Sequence, residues 1–155
     1  MDFKAMLSEF TDALAAGDGE RLARFFTEDG VYHDVAYGTH RGRDEIRAMV
    51  ERVAQEGENY RFEMYDPVSD GQVGYARFVF SFTTRHEEFA GNRVVTEGMG
   101  CFELEDGLIK EYHEATNQGI GLAQLGVAPE HMAKIFARKA ERQNARPELR
   151  NHLGG

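Results

Sequence analysis

A change of hydrophobic period near residue 58 constrains this chain more than any other feature. Up to Gly57 apolar residues recur every three or four positions, and from Asn59 they recur every second position. Helices therefore come first and strands follow. Phe3, Met6, Leu7, Phe10 and Leu14 predict a helix over 3–16, closed by Gly17. Leu22, Phe25 and Phe26 predict a second, short helix capped by Asp18 and ended by a turn at Asp29-Gly30, with a strand at Val31–Asp34. Residues 38–42 read as a loop. A third helix follows, capped by Asp44, burying Ile46, Met49, Val50 and Val53 and stopped by Gly57.

The alternating part divides into strands at 59–66, 73–85, 93–104 and 108–117. Ser69-Asp70-Gly71, Gly91-Asn92 and Glu105-Asp106-Gly107 supply the turns of an antiparallel meander. Gly98 and Gly100 within one strand predict a bulge or a sharp bend. Residues 129–145 return to helix, with Pro129 near the start and Met132, Ile135 and Phe136 on one side. The implied architecture is α+β: a cone in the manner of an α+β barrel, its curved antiparallel sheet closed by three N-terminal helices, plus a C-terminal helix. Such a cone leaves a cavity for a small molecule. The division expected is a cone domain over 1–126 and a helical tail over 127–155.

Composition excludes several classes. At 155 residues the chain is one domain. Its single cysteine, Cys101, allows neither an internal disulfide nor a paired-cysteine metal site, and reads as a small core hydrophobe. No apolar run reaches the length of a bilayer span, and the first 16 residues lack the basic start of a signal peptide, so a cytoplasmic protein without membrane partners is expected. A net charge of −9 argues against nucleic acid. That charge is uneven: 127–155 carries 6 basic and 3 acidic residues, leaving −12 on the first 126. A basic tail on an acidic body suggests a homo-oligomer, dimer to tetramer, with the tail at an interface.

Five segments then stand in a telling order: ALAAGD at 13–18, RFFTEDGVYHD at 24–34, RGRDEI at 41–46, VVTEGMGCFELEDGLIKEY at 94–112 and GLAQLG at 121–126. Together, across roughly 3–126, they resemble the nuclear transport factor 2-like superfamily, and within it the SnoaL-like polyketide cyclases and the ketosteroid isomerases. The resemblance implies that Asp34 holds the isomerases' general-base position. A carboxylate desolvated by an apolar cone is also a sound base on physical grounds. Asn117 stands where SnoaL-like cyclases carry a catalytic aspartate, and an amide cannot transfer protons there, though it can hold a substrate oxygen. Phe10 replaces the isomerases' helix-one tyrosine, and Glu97 is the only acid near their second oxyanion donor.

Period two places Ile109, Glu111, His113, Ala115 and Asn117 on one face. With Asn117 at the position that the resemblance sets in the cone, His113 is expected there too, beside Asp34, as a second catalytic group. Tyr32 shares the parity of Asp34, and Tyr37 and Tyr60 fall near the rim; with Glu97 and Asn117 they are the candidate substrate-binding residues. His33 is out of phase with Asp34 and, with His40, His86 and His131, reads as packing or interface. Metal is not expected, because the ligand pairs His33-Asp34 and His113-Glu114 are neighbours on strands and point to opposite faces. GLAQLG lacks the lysine and spacing of a phosphate loop and reads as a cap over the open end of the cone. The function expected is cofactor-free proton transfer on a small hydrophobic oxygenated metabolite such as a polyketide, steroid or aromatic, by a lyase, dehydratase, isomerase or cyclase. The alternative is a non-catalytic ligand-binding or dimerisation module of the same fold.

Overall fold

A computed structural model describes residues 2–154. The helical part contains α1 (Phe3–Ala15), α2 (Gly19–Ala23) and α3 (Gly42–Glu56), with strands β1 (Phe26–Asp34) and β2 (Gly38–Arg41) between the last two. The meander is β3 (Gly57–Ser69), β4 (Val73–Thr84), β5 (Arg93–Glu105) and β6 (Leu108–Thr116). Two more helices follow, α4 (Gln118–Leu125) and α5 (Pro129–Asn144). Asp2 and Asp18 cap α1 and α2 by accepting from the amides of Ala5 and Arg21.

The α+β architecture holds, with five corrections. The sheet is open, in the order β2-β1-β6-β5-β4-β3, so it does not close into a barrel. It is mixed, because β1 runs parallel to β6 while the other neighbours are antiparallel. Residues 38–41 are paired with β1 and form no loop, and Asp29-Gly30 lies within β1 at a register shift between Phe26 and Val31. At α3 the cap position belongs to Arg41, and Asp44 sits in the first turn, where its charge suits the positive end of the helix dipole.

Helices pack on one face of the sheet around Phe10, which is fully buried. The rings of Phe25, Phe26, Tyr32, Phe62, Phe102 and Tyr112 surround it with centroids 5.4 to 6.4 Å away. Phe10 is thus the hub of an aromatic core. The strand glycines owe their place to the same packing. Pairing of β4 with β5 runs unbroken through Gly98 and Gly100, so neither marks a bulge. A Cβ on Gly98 would lie 2.5 Å from the Phe78 ring, and one on Gly100 would lie 2.9 Å from the Tyr112 ring.

The real bulge is in β6. Leu104 pairs with Ile109 and Glu103 with Glu111, so β6 advances two residues while β5 advances one. That single extra residue reverses which face the rest of β6 presents. Ile109 is buried on the helix side, and beyond the bulge it is Tyr112 and Glu114 that face inward, while Glu111 and His113 face outward.

Candidate active site

Between the helices and the inner face of the sheet lies a cavity of about 650 Å³. Most of its wall is apolar, with Met49 and Val53 from α3, Phe62 from β3, Phe78 and Phe80 from β4, and Leu122 from α4. Three polar side chains from two adjacent strands, Tyr32, Asp34 and Glu114, break that lining where β1 meets β6.

Asp34 ends β1. Its Oδ1 accepts from the amides of Ala36 at 2.7 Å and Tyr37 at 2.6 Å, so the turn into β2 fixes the carboxyl. Burial raises its pKa above the ordinary 3.8, and the two amides and the charges of His40 and Lys139 offset part of that rise. Glu114 is reached by solvent through the cavity but otherwise surrounded by protein. Burial and the charge of Asp34 push its pKa up to about 8, against hydrogen bonds from the Tyr32 hydroxyl and the Val35 amide. Tyr32, 1% exposed, donates to Glu114 Oε1 at 2.9 Å. The hydroxyl of Tyr112 is buried nearby without a partner, and burial and the charge of Glu114 raise its pKa.

The pair is asymmetric. The raised pKa of Glu114 favours its protonated form at neutral pH, while the two amides that Asp34 accepts from favour its carboxylate form.

Residues placed in the cone by sequence divide into two groups. Tyr32, Asp34, Tyr37 and Tyr60 line the cavity. Tyr37 and Tyr60 sit at its mouth, the first donating to Glu56 and the second to the Val53 carbonyl; burial raises both phenols, Tyr60 to about 12. His113, Glu97 and Asn117 do not line it. His113 points out of the opposite face of the sheet, where its ring stacks on His33. Glu97 is exposed on that face, in a shallow groove shared with Asn117. Asn117 caps α4 by accepting from the Gly119 amide at 3.1 Å.

Glu114 was the residue missed. The readable signal was Tyr112: the largest apolar side chain of the stretch 110–116 should take the core side, which carries Glu114 with it. His86 and His131, read as packing or interface, line the cavity. The GLAQLG segment forms the last turns of the helix α4 with Gly126 as its C-cap, and its Leu122 and Leu125 line the cavity as a cap would. From α5, Ile135 reaches the cavity and Lys139 donates to the Val35 carbonyl, so the basic tail lies over the mouth of its own chain.

Solved structures share this fold. TsrD from Streptomyces laurentii superposes with a TM-score of 0.70 at 23% identity, over 83% of this chain and 99% of TsrD. A protein from Catenulispora acidiphila with a ketosteroid isomerase-like fold, crystallised with trimethylamine, gives 0.72 at 19% identity, over 79% of this chain and 93% of its own. An LEH-like epoxide hydrolase of M. tuberculosis gives 0.65 at 18% identity, over 78% of this chain and 86% of its own. No curated protein matches the chain in sequence. Residues 7–112, from α1 to the strand that carries Tyr112, match the family model of the SnoaL-like domain, and the chain belongs to that family.

Proposed function

We propose that the chain is a cofactor-independent enzyme moving protons on a small, hydrophobic, oxygenated metabolite by isomerisation, cyclisation or elimination. Asp34 and Glu114, unequal carboxyls in a largely apolar 650 Å³ cavity, are the observation that carries this reading. Asp34 removes a proton from the carbon next to a carbonyl. Protonated Glu114, held by Tyr32, donates to the carbonyl oxygen as charge develops there. Return of the proton at a second carbon isomerises the substrate; attack of the enol carbon on a second carbonyl cyclises it; loss of a β-hydroxyl as water eliminates. The family's range and the epoxide hydrolase of the same fold are consistent with acid-base pairs here, but a fold hosts many reactions.

His113 lies outside the cavity, and this favours the second reading, a module that binds a ligand without turning it over. One experiment separates them. A thermal-shift screen of aromatic, polyketide-like and steroid ketones identifies ligands, and each is then incubated with the enzyme in deuterated water. Deuterium uptake next to the carbonyl, abolished in Asp34→Asn, is the expected result; tight binding with no exchange leaves the binding module standing.

A further inference from the structure

The outer face of β1 and β6 carries a second cluster, directly behind the carboxylates. His33 and His113 are paired positions on the parallel strands, and Glu111 precedes His113 by two residues on the same face. Nε2 of His33 lies 3.2 Å and Nε2 of His113 lies 3.1 Å from the same oxygen, Oε2 of Glu111. One ligand atom from each of the three falls within 4.8 Å of the others. The side chains are 29%, 45% and 37% exposed, open to an ion from solvent yet partly enclosed.

We propose that His33, Glu111 and His113 form a binding site for a divalent late transition-metal ion, with zinc as its representative. Two imidazoles and one carboxylate suit zinc, nickel, cobalt or copper and disfavour magnesium and calcium, which take oxygen ligands. The spacing fits. Ligand atoms about 2.0–2.2 Å from a tetrahedral zinc are about 3.3 Å from each other, close to the two N···O separations here. Thr39 Oγ1 lies 3.1 Å from Nδ1 of His33. In the tautomer whose Nδ1–H donates to this hydroxyl, the Nε2 lone pair is free for a metal, and Thr39 holds the ring in that orientation. The rings now stack at 4.1 Å and 11°, so binding turns them about their Cβ–Cγ bonds until both lone pairs converge. That torsion is broad and soft in histidine. Solvent completes the coordination.

The site would tie β1 to β6 at the positions that precede Asp34 and Glu114 in each strand, without supplying a ligand to the cavity. It does not depend on the reaction proposed above.

The test uses the full, untagged chain, treated with chelator and titrated with zinc chloride by calorimetry. One equivalent should bind, and cobalt should give visible d–d absorption. His33→Gln, Glu111→Gln and His113→Gln should each weaken zinc binding by more than about tenfold, with far-ultraviolet circular dichroism unchanged. His86→Gln and Cys101→Ser should bind as the parent does. Binding below a fifth of an equivalent, or affinity unaltered in the three ligand variants, overturns the proposal. If one ligand variant misfolds, the other two decide.

Discussion

The Tyr32 hydroxyl donates to Oε1 of Glu114 at 2.9 Å and so joins the adjacent strands β1 and β6 inside the cavity. The bond orients the carboxyl whose proton the proposed chemistry uses. Tyr32→Phe should therefore lower turnover more than it changes KM, with a stability loss of about 1–2 kcal/mol for an interior hydrogen bond left unmade. Steady-state kinetics and urea unfolding measure both; an unchanged kcat would remove Tyr32 from the mechanism.

Asp34→Asn keeps the shape and the backbone contacts of Asp34 but removes the base. Turnover of any substrate found should fall by at least ~100-fold. Glu114→Gln should lower it too and also abolish the alkaline limb of the pH–rate profile, because that limb reports loss of the Glu114 proton near pH 8. Retention of the limb in this variant would assign it elsewhere.

Stability should carry the same signature. Folded Glu114 keeps its proton up to about pH 8, whereas in the unfolded chain it ionises near the ordinary 4.5. Between those values the folded state binds more protons, so this contribution is complete below pH 4.5 and is lost as pH rises toward 8. The slope is at most about 1.4 kcal/mol per pH unit. The raised pKa of Asp34 acts in the same direction. Urea denaturation at steps from pH 5 to pH 9 should show the decline, and Glu114→Gln should flatten it.

Lys139 reaches from α5 to the Val35 carbonyl, and its positive charge lowers the pKa of Asp34. Removing that charge in Lys139→Met should raise the pKa of Asp34. The acidic limb of the kcat/KM profile then moves upward, toward neutral pH, while the alkaline limb stays. A profile that does not move would make the tail electrostatically silent.

Gly98 carries no side chain because Phe78 and the Ala115 carbonyl leave no room, each 2.5 Å from where a Cβ would sit. Gly98→Ala should destabilise by about 1–3 kcal/mol through overpacking, read as a lower urea midpoint at constant m-value. A neutral result would mean that the ring can step aside.

What could be read from the residues follows from how local each signal is. The change of period at residue 58 located the helices and the meander, since amphipathic spacing is written within a few neighbours. Asp34 and Tyr32 were legible for the same reason: nothing interrupts β1 between them. β2 was unreadable, because four residues carry too little pattern and their pairing with β1 is a tertiary event. The face of β6 failed for a different cause. Counting by two from Ile109 puts Glu111 and His113 inside, but the bulge adds one residue and exchanges them for Tyr112 and Glu114.

The sequence by itself determined an α+β chain, because turns and hydrophobic period are local properties, and its resemblance to the SnoaL-like family singled out Asp34 as the candidate base. Only the tertiary structure decided that Glu114 partners Asp34 and that His113 joins His33 and Glu111 outside. Those choices rest on strand pairing, where one inserted residue turns every later side chain to the other face of the sheet.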